Sequence, residues 1–215
     1  LTGPELARPV GVAIAPSPFG DEAPEVIAAV KAVGKWLAEA GFAVEEIVPP
    51  RLAEATDLWH RLVINEERRG LAALVRKFGD AKSRYNLDCH NAYAPELDGD
   101  AVLACFEQRL GIIRAWQLFQ ERYPIIILPV SAQLPFRFGQ DQESDAVARA
   151  VIDAQGSLLA IPALGFPALA VPTGIADGKP VGVQVIAGRF REDVCLAAGE
   201  AIEARVPALT PIDPR

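Results

Sequence analysis

Residues 161–188 read IPALGFPALAVPTGIADGKPVGVQVIAG, an apolar run that prolines and glycines interrupt at intervals. The run has no histidine or cysteine and only one acid and one base, so it cannot perform acid–base chemistry by itself. Two of its segments, PALAVPT and VGVQVIA, predict strands, and Asp177-Gly178 between them supplies the positive φ that a tight hairpin turn needs. Gly165 to Pro167 would lead into the first strand, a buried one, and Pro172 to Gly174 would end it. The stretch therefore predicts a scaffold β-hairpin.

The first fifty residues predict a βαβ unit. Apolar runs at 9–15 and 42–48 suit strands, and residues 24–40 suit a helix with a proline in its first turn and Gly41 just past its end. We expect the two strands to be parallel and their crossover to be right-handed. The apolar face of the helix is formed by Val26, Val30, Val33 and Leu37.

The centre of the chain is predicted to be mostly helical, with one apolar strand at 123–130 and a loop after it. Between two of the helices, residues 81–100 predict an irregular or weakly helical connection. The helix over residues 101–123 would bury the side that carries Phe106, Leu110, Ile113 and Gln117 to Leu118. The other predicted helices cover residues 52–78, residues 144–159 with Ser144 or Asp145 near the N-cap, and residues 192–205.

The composition is that of an ordinary folded domain, since 51% of the 215 residues are hydrophobic and 23% are charged. No Ser/Gly-rich or charge-rich linker divides the sequence, so we expect a single domain over residues 1–215. The chain begins at Leu1 and contains no methionine. Either it is a piece of a longer protein, as we expect, or its methionines are missing from the written sequence.

Charge and hydropathy argue against two classes of partner. The net charge is -7 and the basic residues are scattered, which argues against nucleic acid. No window approaches the roughly 18 uninterrupted apolar residues of a membrane span. Three widely spaced cysteines fit a reducing compartment. We therefore expect a cytoplasmic protein that binds neither nucleic acid nor membrane.

Few residues form a pattern that indicates chemistry. His60 and His90 are the only histidines, and neither has a partner at the spacing of metal ligands, so no metal site is predicted. The five serines lie outside any G-x-S-x-G elbow. The turn after the first strand reads APSPFGDEAP and lacks the glycine-rich loop that a pyrophosphate requires.

The hairpin stretch resembles a known family. The segments GFPALAVPTG at 165–174 and GKPVGVQVIAG at 178–188 are similar to the C-terminal block of amidase signature enzymes, which reads G-x-P-A/G-x-x-V-P-x-G and then G-x-P-x-G-x-Q after a turn. The segments GFAVEEIVPP at 41–50 and YPIIILPVSAQLPF at 123–136 also resemble the family's pattern. The resemblance spans essentially the whole chain and covers the second half of such an enzyme.

The resemblance implies an α/β fold with a mixed β-sheet flanked by helices. This chain would form the C-terminal part of that fold, with a βαβ unit at its start and a β-hairpin plus helix at its C-terminus. Amidase signature enzymes hydrolyse amides with a serine nucleophile, a second serine and a lysine, all in the N-terminal half, and need no metal or organic cofactor. This sequence has no run of the G-G-S-S-G-G type, so no catalytic residue is assigned. The implied partners are a small-molecule amide and the N-terminal catalytic half, and a homodimer is left open.

By position in the family, two segments would lie nearest the substrate pocket, one after the 123–130 strand and one before the hairpin. The helices around Trp59 and Trp116 would form a lid or side wall. Core packing is the alternative for each apolar residue. The family's polar T-x-P-x-N pattern is absent, because residues 160–164 read AIPAL, and the substrate class stays open. The pocket candidates are Ser131, Gln133 and Phe136 after the 123–130 strand, and Ser157, Ile161, Leu164 and Gly165 before the hairpin.

Two other classes of protein also fit the sequence. A catalytically silent homologue would keep the amidase fold and serve in binding or assembly. A small doubly wound domain that binds a nucleotide or another ligand would explain the βαβ start, and it predicts a ligand at the carboxyl ends of the strands near Pro16 to Gly20.

Overall fold

A computed structural model describes residues 3–206 of the chain, which form two compact units. The sheet unit comprises residues 3–49, 119–135 and 166–206, and the helical unit comprises residues 50–118 and 136–165. The single domain expected from the sequence stays a prediction.

The strands are β1 (Gly11–Ile14), β2 (Ala43–Glu46), β3 (Ile125–Pro129), β4 (Ala168–Ala176) and β5 (Lys179–Ala187). The helices are α1 (Pro24–Glu39), α2 (Leu52–Arg69), α3 (Leu71–Phe78), α4 (Ala81–Tyr93), α5 (Gly99–Arg122), α6 (Asp145–Asp153), α7 (Gly156–Leu164) and α8 (Glu192–Glu203), with a short 3₁₀ turn at Gln140–Gln142.

The five strands form one mixed sheet in the order β2-β1-β3-β5-β4. Strand β1 pairs in parallel with β2 and β3, so that Val12 lies opposite both Val44 and Ile125. Strand β5 runs antiparallel to β3 and to β4. The mixed sheet and the parallel βαβ start confirm the predicted α/β class. The antiparallel pairs distinguish it from the doubly wound parallel sheet that was the alternative.

One face of the sheet packs against α1 and α8 to form a hydrophobic core. Alternate residues of a strand point to the same face, so the central strands each contribute every second side chain. Helix α1 buries the apolar face that its 3.6-residue spacing predicts. The buried members of this core are Val12, Ile14, Val30, Val33, Leu37, Ile125, Ile127, Val171, Val183, Val185, Ala187, Val194, Cys195, Ala198 and Ile202.

The hairpin turns where the sequence predicts, but its first strand differs from the prediction. Asp177 and Gly178 have φ of 49° and 70°, as a type I′ turn requires. Strand β4 is an edge strand with mostly half-buried or exposed residues, so the predicted burial is wrong. It also continues beyond Pro172 to Gly174, where a register shift marks a β-bulge. Proline and bulges are tolerated there because one side of an edge strand pairs with no neighbour.

Helix α5 buries a different face from the predicted one. Phe106, Leu110 and Leu118 are 49%, 66% and 54% exposed, whereas Ile112 and Trp116 are fully buried. Of the predicted apolar face, only Ile113 is buried. The sequence of α5 carries two apolar stripes at helical spacing, and only tertiary packing decides which stripe is covered.

Two further segments of the helical unit differ from the prediction. One is a regular helix where a weakly helical connection was expected, and the other is two helices where one was expected. The weakly helical connection is a regular helix, α4, whose N-cap carboxylate at Asp80 accepts the Ser83 N–H at 2.8 Å. The helix predicted over 144–159 is two helices, because a turn at residues 154–155 separates α6 from α7. Ser144 caps α6, as predicted, by accepting the Val147 N–H.

No single helix between residues 3 and 206 has the length and apolar character of a membrane span. Helices α6 and α7, which are bent by 58° relative to each other, reach this length and apolar character only when they are counted together. A buried helix of a soluble protein can have the same length and apolar character.

Candidate functional site

The carboxyl ends of β1 and β3 lie side by side in the sheet unit, where the loop 15–23 meets the loop 130–135. We call this region the carboxyl edge. The Ala15 N–H donates to the Ile127 carbonyl at 3.0 Å, and the Ala23 N–H donates to the Ala132 carbonyl at 2.8 Å. Ligands of open α/β sheets bind outside the carboxyl ends of the strands. The carboxyl edge is therefore the first candidate site.

Glu22 organises the first loop of the carboxyl edge. Its carboxylate is almost fully buried and accepts the Ser17 hydroxyl at 2.5 Å and the N–H groups of Phe19 and Gly20 at 3.0 and 3.1 Å. Three donors from one tight loop compensate the cost of burying this charge. Sequence reasoning missed Glu22, because its partners are mostly backbone groups that no residue spacing encodes.

Two of the predicted pocket residues, Ser131 and Gln133, belong to the carboxyl edge. The Ser131 hydroxyl accepts the Gln133 N–H at 3.2 Å, and the Gln133 side-chain amide donates to the Asp21 carbonyl at 3.3 Å. Buried Gln184 of β5 donates to the carbonyl of Pro129, the last residue of β3, at 3.2 Å. The neutral side chains of Ser131 and Gln133 can orient a ligand, and neither loop contains a lysine or histidine to activate a nucleophile.

The helical unit contains a second candidate site, a cavity of about 510 Å³ among α2, α5 and α7. We call it the helical cavity. Its wall is mainly apolar and includes two aromatic rings, with one carboxylate and two guanidinium groups. The lining residues are Trp59, Leu62, Val63, Asn65, Glu66, Arg69, Val102, Phe106, Arg109, Pro162 and Ala163.

Arg109 positions the α7 wall of this cavity. Its Nε donates to the Ala163 carbonyl at 2.5 Å, and its Nη2 donates to the Leu164 carbonyl at 3.4 Å. These are carbonyls of the last turn of α7, which have no partner within the helix, and a cation is favourable at this end of the helix dipole. Gly165 follows at φ 72° as the left-handed cap that glycine favours.

The other pocket candidates from the sequence lie in the helical unit. Ser157, Ile161 and Leu164 are buried in α7, while their neighbours Pro162 and Ala163 line the cavity. Phe136 is half-buried in the segment before α6. As substrate-pocket residues, all seven candidates stay predictions. Trp59 lines the helical cavity and Trp116 is a core residue, and the lid or side wall expected around them stays a prediction.

His60 is a buried residue of α2 next to the lining residue Trp59. Its ring is edge-on to the Trp59 indole, with centroids 5.3 Å apart, and 4.2 Å from the Tyr93 ring. Its Nδ1 is buried and has no hydrogen-bond partner within residues 3–206. Burial lowers the pKa of His60 and outweighs the opposing attraction of Asp153 and Asp57. The neutral imidazole therefore serves as packing surface.

The lowered pKa predicts a pH-dependent stability. An unfolded histidine takes up its proton near pH 6.5, at a higher pH than buried His60, so protonation favours the unfolded chain. We expect the free energy of unfolding to decrease as the pH is lowered beneath about 6.5. His60 should contribute at most about 1.4 kcal/mol per pH unit to this decrease. Above about pH 7.5 it should make no contribution to the pH dependence. Urea titrations between about pH 5 and pH 8 measure this slope.

The His60→Gln variant should show a shallower slope than the wild type, whatever its absolute stability. His90→Gln is the matched control, because His90 is a partly exposed histidine beside Glu67. Equal slopes in the wild type and His60→Gln would contradict the assignment.

Residues 3–206 contain no group of three His, Cys, Asp or Glu side chains arranged to hold a metal ion. Cys89, Cys105 and Cys195 are all free thiols. Burial raises the pKa of Cys195 to about 11, so this thiol is protonated and unreactive at neutral pH.

Comparison with known proteins decides the family. A family model described as Amidase matches residues 4–196. The chain belongs to the amidase family. An indoleacetamide hydrolase from Bradyrhizobium japonicum is 34% identical to this amidase-family chain over 217 aligned positions, which cover 97% of the chain and 45% of that protein. An indoleacetamide hydrolase from Bradyrhizobium diazoefficiens is 33% identical over 217 positions, which cover 97% of the chain and 40% of that protein.

Solved structures show the same fold. The allophanate hydrolase of Kluyveromyces lactis superposes on the amidase-family chain with a TM-score of 0.70 at 19% identity, covering 91% of this chain and 32% of that one. The resemblance to amidase signature enzymes and the expected fold are thereby confirmed. The chain spans less than half the length of these relatives.

Proposed function

We propose that this chain is the C-terminal part of an amidase that hydrolyses a carbon–nitrogen amide bond with a nucleophile outside these 215 residues. The observation that carries the proposal is the family match over residues 4–196 together with a hydrolase relative whose aligned region covers 97% of this chain but 45% of its own length. The two loops of the carboxyl edge contain no lysine or histidine beside Ser17 or Ser131, which agrees with a nucleophile elsewhere.

The resemblance to amidase signature enzymes supplies the chemistry of the proposal. A serine attacks the amide carbonyl, a second serine relays its proton to a neutral lysine, and backbone N–H groups hold the oxyanion. The role of this chain is to complete the central sheet and to supply one wall of the substrate pocket. The carboxyl edge, which includes Ser131 and Gln133, is our candidate for that wall.

The N-terminal catalytic half of the same protein is the partner that we propose. Helix α3 supports it, because Leu71, Leu74 and Phe78 form an apolar stripe at helical spacing and are exposed in the described part of the chain. A stripe of this kind fits a buried interface with another polypeptide segment. Three free cysteines support a reducing cytoplasm as the location.

The test compares the 215-residue polypeptide with the complete protein that contains it. We expect the complete protein to release ammonia or amine from simple amides and the polypeptide alone to release none. Turnover by the polypeptide alone would overturn the assignment of roles. An inactive complete protein would favour the second candidate, a catalytically silent protein that serves in binding or assembly.

A further inference from the structure

We propose that the helical cavity, which Trp59 and Phe106 both line, is a binding site for a planar aromatic group. In the complete protein this group is the aryl part of the amide substrate, a step that rests on the proposed function. The cavity volume of about 510 Å³ is within the range of roughly 300–1,000 Å³ that is typical of small-molecule sites.

The two aromatic side chains that line the cavity differ in how far the protein buries them. Phe106 is half-exposed although it is a large apolar side chain, and it lines the cavity. Trp59 is half-buried, and the His60 ring contacts it in an edge-on arrangement. A fixed indole is a preorganised surface for stacking, because its ordering cost is already met in the free protein.

The buried polar groups of the cavity wall are already satisfied by the protein. Asn65 donates its side-chain amide to the carbonyls of Arg61 and Pro95, and its Oδ1 accepts the Leu97 N–H. Arg109 binds the carbonyls at the end of α7. A ligand that enters meets mainly ring and aliphatic surface, so an apolar group is favoured inside.

The exposed polar groups of the lining select a neutral ligand. Glu66 and Arg69 both lie in the last turn of α2, line the cavity and are exposed. One offers an acceptor and the other a donor, with opposite charges, so this pair by itself favours neither an anion nor a cation. A carboxamide, which both donates and accepts, matches this pair. The inferred ligand is an aromatic ring with a neutral polar substituent.

Calorimetric titration with 4-nitrobenzamide tests the site, with cyclohexanecarboxamide as the non-aromatic counterpart. We expect the 215-residue chain to bind the aromatic amide more tightly than its counterpart, and the nitroarene to quench the fluorescence of Trp59. In Trp59→Phe the quenching should be lost, although Trp36 and Trp116 remain. Equal binding of the two amides, or no binding, would overturn the proposal.

Phe106→Ala should weaken binding of the aromatic amide about five- to tenfold. Leu110→Ala is the matched control, since Leu110 is an exposed apolar residue of the same helix that does not line the cavity. Phe106 is half-exposed and Leu110 is largely exposed, so both variants should fold. Equal affinities of the two variants would overturn the proposal.

Turnover by the complete protein separates this inference from the proposed function. Phe106→Ala should lower kcat/KM for an aryl amide and leave kcat/KM for an aliphatic amide unchanged. If the aromatic amide binds and the complete protein hydrolyses no amide, the proposed function fails and the binding site stands. If amides are hydrolysed but Phe106→Ala affects neither binding nor aryl preference, the aromatic site fails and the amidase stands.

Discussion

Replacing Trp116 with alanine should lower the free energy of unfolding by about 3–5 kcal/mol. Trp116 is fully buried in the helical unit, and its indole Nε1 donates to the carbonyl of Pro50 at 2.8 Å. The truncation leaves a cavity of indole size and also removes the donor to that carbonyl. Urea denaturation followed by far-ultraviolet circular dichroism measures the change.

Two variants separate packing from hydrogen bonding at this position. Trp116→Phe keeps a ring and loses the donor, so a cost of about 1–3 kcal/mol is expected. Leu118→Ala removes an exposed side chain of the same helix and should stay within about 0.5 kcal/mol of the wild type. A Trp116→Ala variant within about 1 kcal/mol of the wild type would show that this ring is not central to the helical unit.

Gly11→Ala should be the most damaging glycine substitution in the sheet unit. A Cβ at residue 11 would lie 2.1 Å from the carbonyl oxygen of Arg122, which is far inside van der Waals contact. The obstacle is backbone, so β1 or the segment leading into β3 must shift. We expect a loss of about 3 kcal/mol in the free energy of unfolding.

Gly99→Ala is the control for this substitution. A Cβ at Gly99, the first residue of α5, meets no atom within 4 Å. Its stability should stay within about 1 kcal/mol of the wild type. Thermal denaturation of the two variants in parallel provides the measurement, and equal melting temperatures would mean that the close approach at Gly11 is relieved at no cost.

The fold was predictable wherever local chemistry decides it. The βαβ start follows from the spacing of Val26 to Leu37, and the hairpin turn follows from the positive φ that Asp177-Gly178 can adopt. Two features were not predictable because they are tertiary. The buried side of α5 depends on which of two apolar stripes meets a neighbour, and the exposure of β4 depends on its place at the sheet edge.

The candidate sites were predictable only in outline. The order of the strands places Ser131 and Gln133 at the end of β3, where sequence reasoning expected ligand contacts. Glu22 was missed, and its only sequence signal was an acid placed shortly after Ser17 in a proline-rich turn. Phe106 was assigned to the core by its helical spacing, whereas the structure places it on a cavity wall. A spacing shows which residues share a face and does not show what covers that face.

We propose that the nucleophile of the complete protein lies outside these 215 residues. Labelling the complete protein with a serine-directed fluorophosphonate, followed by peptide mapping, tests it most directly. We expect one modified serine, in a peptide that is not part of this sequence, and loss of amide hydrolysis in proportion to labelling. A stoichiometric adduct on Ser131, Ser157 or another serine of this chain, with the same loss of activity, would contradict it.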